Sequence, residues 1–193
     1  MCVDTRAALL TAALKVLEEK GEAQFSTRSV CAIANVTAPT LYHHYGSADG
    51  LLSAAIAEAF AQFLESKRAA VQSIDPVMAL REGWDDYVRF AASRPRLYAV
   101  MISRVLDGAT IPAAEQAFAL LIERIAAIAS KGRLALTVEA AADLMWASAN
   151  AASLLHVTAQ LRKAPPPSSA VLEQTRENAM RAILNYESKG ASQ

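Results

Sequence analysis

Cysteine is nearly missing from this chain: among 193 residues only Cys2 and Cys31 carry a thiol. Two cysteines make no disulfide framework, so the fold must rest on an apolar core, and a reducing, cytoplasmic setting suits it. Glycine and proline are also sparse, seven of each, and fall at isolated points rather than in repeats. That pattern excludes collagen-like and low-complexity organisation. Long uncharged apolar runs are lacking too. The most apolar region, 137–157, holds Glu139 and Asp143 in its first half, which argues against a membrane span. The opening MCVDTRAALL carries Asp4 and no basic leader, so a signal peptide is not expected. Net charge is zero, 19 lysines and arginines against 19 aspartates and glutamates, so overall charge advertises no nucleic-acid partner and any such claim must rest on local features.

What is present is helix. Apolar residues recur at three- and four-residue spacing and do not alternate, so the fold class is all-α, with about nine helices and no strand. Leu10, Ala13, Leu14 and Leu17 form a stripe on a first helix, 5 to about 20, that stops at Gly21. Ser26 caps a short second helix ending near Ala34, and Thr37 caps a third with Pro39 in its first turn. Gly46 and Ser47 end the third and open a long fourth, to about residue 70. Pro76, Pro95 and Pro112 each mark a helix start, and Thr137 opens a long helix to about residue 162. After the extended APPPSS segment, a last helix is expected over 169 to about 188.

The stretch PTLYHHYGSADGLL crowds large polar-tipped side chains onto two helical turns. At 100° per residue, Ala38, Leu41 and Tyr45 fall on one side of the third helix. Pro39, Thr40, His43 and His44 fall on the other, with Tyr42 at the flank. The second helix turns Val30, Ile33 and Ala34 inward, and only Asn35-Val36-Thr37 separates the two, with Asn35 suited to the left-handed corner. Two short helices at a tight corner, the second with a polar face, form the helix-turn-helix layout that enters a DNA major groove.

These residues carry a resemblance. AALLTAALKVLEEKG followed by FSTRSVCAIANVTAPTLYHHYGSADGLL resembles the DNA-binding domain of TetR-family transcriptional regulators, with Val36, Thr37, Thr40, Leu41, Tyr42 and His44 matching that pattern and Tyr45 in place of its phenylalanine. The resemblance implies a three-helix DNA-binding domain at 1–50 and a ligand-binding and dimerisation domain at 51–193. It implies phosphate contacts from Ser26, Thr37, Tyr42 and His44, and base-edge contacts from Ala38, Pro39, Thr40 and His43, a split that hydroxyls and small side chains suit. Arg28 adds a backbone or base contact. The partners implied are a double-stranded operator, a small hydrophobic or amphipathic effector and a second copy of the chain, with no membrane and no cofactor.

Three departures from the pattern bear on affinity. Ala48 stands where a lysine is usual, Asn35 replaces the turn glycine, and Arg6 is the one basic residue of the arm. Residues 1–50 hold four basic and five acidic side chains, so few phosphates are neutralised and binding per protomer should be weak and salt-sensitive. Protonation of His43 and His44 in mild acid would add positive charge. Metal ligation by these histidines is not favoured, because no Cys, Asp or Glu stands three or four residues away. Cys31 reads as a small buried side chain.

YVRFAASRPRLYAVMISR, 87–104, resembles one C-terminal subgroup of the same family, which carries a later tryptophan followed by His-Gly; here Trp146 is followed by Asn150 and Ala151. Trp84, Tyr87, Phe90, Tyr98, Met101, Phe118, Met145, Trp146 and Asn150 are the candidate lining of an effector pocket. Leu155 on the eighth helix and the stripe Leu172, Thr175, Ala179, Ile183 and Tyr186 on the ninth are the candidate dimer interface, near the small residues Ala147, Ser148 and Ala151. No nucleophile-base spacing or phosphate loop appears, so no enzymatic activity is expected. The resulting expectation is a ligand-responsive regulator, a repressor released from a pseudo-palindromic operator. The alternative is a helical ligand-binding or interaction protein with a weakened DNA-binding head.

Overall fold

Each helix begins where its residues allow. The computed structural model describes residues 4–69 and 73–185, and among them are nine α-helices. Asp4 caps α1 (Thr5–Lys20), its carboxylate accepting from the Arg6 and Ala7 amides at 3.0 and 3.4 Å. Ser26 caps α2 (Thr27–Ala34) and Thr37 precedes α3 (Ala38–Tyr45). The Thr37 hydroxyl does not reach a helix amide; it pairs with the Thr40 hydroxyl at 2.9 Å. Ser47 caps α4 (Ala48–Ala69) through the Gly50 amide at 2.9 Å. Proline stands first in α5 (Pro76–Ser93), α6 (Pro95–Leu106) and α7 (Pro112–Ala129), where its missing N–H has no partner to lose. Thr137 and Ser168 cap α8 (Val138–Leu161) and α9 (Ser169–Ile183). None of the described helices is long and apolar enough to cross a membrane.

The chain forms two compact units. The first runs through Ser66 and resumes over Ser93–Ala114. In it α1 is the hub, packed by α2, α3 and α6, and its buried face is Leu9, Ala12, Ala13, Val16 and Leu17, with Leu14 at the margin. That face centres one residue off the expected stripe, and Leu10 is only half-buried, because a helix covered on three sides buries more than one row. Two arginines of this segment join the unit: Arg94, just before α6, pairs with Glu18 at 3.4 Å, and Arg104 lies 3.5 Å from both Glu22 and Asp49. Much of the acidic balance counted over residues 1–50 is thereby offset from a segment far along the chain.

The second unit comprises Lys67–Ala92 and the chain from Glu115 onward. Its core takes Trp84 and Val88 from α5, Ile125 and Ile128 from α7, Met145 and Ala149 from α8, and Met180 and Ile183 from α9. Two expectations need correcting here. The last helix ends at Ile183, not near 188: Leu184 is extended (φ −99°, ψ 138°) and bridges Leu134, while the Ala135 amide donates to the Ile183 carbonyl and the Asn185 amide to that of Arg133. The Ile183 carbonyl finds its donor in Ala135 and the Asn185 amide its acceptor in Arg133, so the helix has no need to continue. The α9 stripe offered as a dimer interface faces inward: Ile183 is 0% and Ala179 5% exposed, both in the protomer's own core, with Leu172 packed beside them. Thr175 is half-buried, its hydroxyl donating to the Val171 carbonyl. An amphipathic stripe says that a helix is covered, not by what. Cys2 and Tyr186 lie outside the described residues.

Candidate functional site

The corner between α2 and α3 is set by backbone conformation. Asn35 is left-handed (φ 54°, ψ 46°), as its side chain tolerates, and its amide closes α2 on the Cys31 carbonyl. Val30 and Leu41, both 0% exposed, anchor the two helices, and Cys31 is a buried free thiol. Ile33, expected inside, is 42% exposed. The eight-residue helix is covered on one side only, so a third apolar row has nothing to pack against.

α3 turns a continuous polar and small-residue face outward. Pro39, Tyr42 and His43 are exposed, and Thr40 and His44 are half-buried; Ala38, expected on the inner side with Leu41, is exposed as well, since it opens the helix before the turn that packs. The two imidazoles meet edge to face at 5.3 Å between centroids. Ser26, Arg28 and Thr37 are exposed beside this face, so the nine residues named from the sequence for DNA contact are all available to solvent or at its edge. The Ser26 hydroxyl accepts from the Ser29 amide at 3.2 Å and donates to the Ser29 hydroxyl at 3.0 Å, so it meets a phosphate only by exchanging that bond.

Two contacts hold α3 in place. The Tyr45 hydroxyl donates to the Arg6 carbonyl at 2.7 Å, and the Arg6 guanidinium lies 5.7 Å above the Tyr45 ring. Burial pushes the Tyr45 phenol above its ordinary value, with the Arg6 charge opposing. At the same end, just past Tyr45, Gly46 is left-handed (φ 73°), and the Tyr45 carbonyl oxygen fills the space that a Cβ on Gly50 would need. Gly50 was missed in reading the sequence, although a glycine in the first turn of a long helix is a signal for close backbone approach.

The residues named for a pocket are divided between the two units. Tyr98 and Met101 are buried in the first unit. The other seven belong to the second. Of these, Trp84 and Met145 are core, with the Trp84 indole donating to the Ser148 hydroxyl at 2.9 Å. Tyr87 donates its hydroxyl to Asn150 at 2.9 Å, and the Asn150 amide donates to the Trp146 carbonyl. Trp146 is 42% exposed and meets Phe118 edge to face at 6.4 Å, while Phe90 is half-buried. One turn beyond Asn150, Ser153 is fully buried and its hydroxyl has no hydrogen-bond partner among the described residues, which costs about 1–3 kcal/mol.

Sequence reading also missed Lys67 and Arg124: each stands beside other polar or charged residues, Glu65, Ser66 and Arg68 around the one and Glu123 before the other, and so reads as an ordinary solvated charge. Lys67 is only 9% exposed; its ammonium donates to the Gly83 carbonyl and lies 5.9 Å from the Tyr87 ring. Burial pulls its pKa down to about 8, against the attraction of Asp86 and with the repulsion of Arg124. Burial likewise lowers that of Arg124. Among the described residues, no three histidines, cysteines or carboxylates gather as metal ligands.

Residues 9–55 match the family model described as bacterial regulatory proteins, tetR family. No curated protein sequence is significantly similar to the chain. Its structure resembles that of a TetR-family transcriptional regulator from Pectobacterium atrosepticum, 24% identical with a TM-score of 0.66, covering 93% of this chain and 90% of that one. It also resembles a TetR transcription regulator from Haloarcula marismortui, 17% identical with a TM-score of 0.72, covering 94% and 99%. A protein of unknown function from Rhodococcus sp. RHA1 gives a TM-score of 0.80 at 19% identity, covering 94% and 96%. At these identities the likeness is one of fold.

Proposed function

We propose, from a TetR-type N-terminal region carried on the TetR regulator fold, that this protein is a ligand-responsive DNA-binding transcriptional regulator, a repressor that leaves its operator when a small effector binds. One observation supports the reading: the outward face of α3, with Tyr42 and His43 exposed beyond a left-handed Asn35 corner and held on a buried Leu41 anchor, suits a major groove. Residues 1–50 act as the DNA-binding domain and 51–193 as the ligand-binding and dimerisation domain, a division of labour distinct from the two compact units. The 87–104 segment and Trp146 favour the tryptophan-containing C-terminal subgroup.

The chain acts as a homodimer. With Ala179 and Ile183 in the core, the surface offered to a second copy is the exposed row of Leu154, Leu155 and Leu161 on α8, with Val171 on α9. Exposed Ala147 and Ala151 on the same helix permit close helix approach. A twofold dimer of this kind presents two α3 helices about one DNA turn apart, so its operator is a pseudo-palindrome. The effector binds the second unit and shifts the population away from the operator-competent spacing.

The test is selection of the purified protein against a random duplex library at moderate salt, without ligand. Enrichment of a pseudo-palindrome supports the regulator. A folded dimer that enriches nothing supports the other reading, a helical ligand-binding protein with a weakened head, for which Ala48 and the single arm residue Arg6 speak.

A further inference from the structure

The first unit keeps acids close to the surface that α3 offers. Residues 1–50 hold four basic and five acidic side chains. Asp49 stands in the first turn of α4, beside Gly50, which is packed against the Tyr45 carbonyl. That places Asp49 within about 10 Å of the end of α3, one Debye length at about 0.1 M salt. Ala48 brings no charge to this turn, and Asp49 is 78% exposed. A carboxylate so placed repels the phosphates of a duplex lying on α3 without touching them.

Arg104, on α6 and 55 residues further along the chain, answers that charge. One of its guanidinium nitrogens lies 3.5 Å from an Asp49 oxygen and 3.5 Å from an oxygen of Glu22, in the short turn of helix between α1 and α2. Among the described residues, neither acid pairs with another cation. All three side chains belong to the first compact unit. The cluster therefore carries one net negative charge with Arg104 in place and two without it. Ion pairs this exposed add little to stability, so what Arg104 changes most is the field around α3.

We propose that Arg104, which lies outside residues 1–50, determines the affinity of the protein for DNA by acting through Asp49 and Glu22: it is the counter-charge that lets two acids stand beside α3 without driving a duplex away. The proposal rests on the reading of α3 as a DNA-binding surface. Every duplex carries phosphates, so this residue sets affinity and not sequence preference.

The experiment measures binding of the full-length protein to two labelled duplexes by fluorescence anisotropy, at about 50 mM and about 200 mM salt. One is the duplex most enriched by selection and the other a shuffled sequence of the same length. Expected for Arg104→Gln is an unchanged melt and binding weaker by about threefold per protomer, about tenfold for a dimer, equal on both duplexes and smaller at the higher salt. Asp49→Asn, which removes one acid, should tighten both by a similar factor. The double variant should return near the wild-type affinity, and Arg104→Lys should keep it. Unchanged affinity in Arg104→Gln overturns the proposal. So does a loss confined to the enriched duplex, which would make Arg104 part of the packing that aims α3. A loss that Asp49→Asn does not recover overturns it too, by placing Arg104 on a phosphate itself. Wild-type protein that binds neither duplex overturns the DNA-binding reading as well. Wild-type protein that binds both alike, with Arg104→Gln weaker on both, keeps this proposal and overturns operator specificity.

Discussion

The two units handle polar side chains in opposite ways. The first displays them: Arg28, Thr37, Tyr42 and His43 lie on the surface, and what the fold must hold rigid is the backbone beneath, at Asn35, Gly46 and Gly50. The second buries them: Lys67, the Trp84–Ser148 bond and the Ser153 hydroxyl sit within an apolar core. Displayed groups cost little stability and stay available to an external partner. Buried ones cost stability whenever they are not fully satisfied.

The sharpest way to break this contrast is to place a charge in each kind of surface on the second unit. Ile183→Glu buries a carboxylate in the core and should lower stability by more than about 4 kcal/mol, read as loss of the cooperative melt. Leu155→Glu, 48% exposed in the protomer, should leave the protomer's melt nearly unchanged yet dissociate the dimer in sedimentation. A dimeric, folded Ile183→Glu protein would refute the inward assignment.

Lys67→Met tests the buried-cation side with the opposite sign. A folded-state pKa of about 8 against an ordinary 10.5 means that the unfolded chain binds the proton more tightly. The penalty is therefore fully present below about pH 8 and is relieved as pH rises toward 10.5. The substitution should stabilise the protein at pH 7, by up to about 3 kcal/mol. It should also remove that rise in stability, which denaturant titrations at pH 7 and above 9 would measure. A destabilised variant with the slope intact would show that Lys67 is an ordinary packed residue.

In the first unit the backbone should matter more than any displayed side chain. Gly50→Ala must displace the Tyr45 carbonyl and is expected to cost about 2 kcal/mol, together with operator affinity, because α3 shifts with it. Tyr42→Ala should leave the melting curve in place while weakening operator binding about tenfold, as measured by fluorescence anisotropy. Ser26→Ala, removing the α2 cap, should cost about 1 kcal/mol. If Tyr42→Ala destabilised the fold more than Gly50→Ala, the division between displayed and buried chemistry would fail.

Much of the first unit was legible before any coordinates. Capping serines, prolines at helix starts and the 100° step along 38–45 are local rules, and the structure follows them to within a residue at most starts. Leu41 inward with His43 outward needs only the helix period. Ile33 escaped the same rule, since a period marks a row as apolar without supplying a neighbour to cover it. The second unit was less legible. Trp84 and Asn150 were singled out for their chemistry, but their partners Ser148 and Tyr87 lie about sixty residues away in sequence, and no spacing rule links them.

By itself the sequence determined that the chain is helical, where most helices start, and which face of α3 carries polar chemistry. All of these depend on interactions within a few residues. Only the tertiary structure decided that Ile183 is core and Leu155 surface, that Arg94 and Arg104 offset the acids of the first unit, and that Lys67 meets Arg124 at Gly83. Burial and charge proximity are properties of what surrounds a side chain, and those surroundings come from distant parts of the chain.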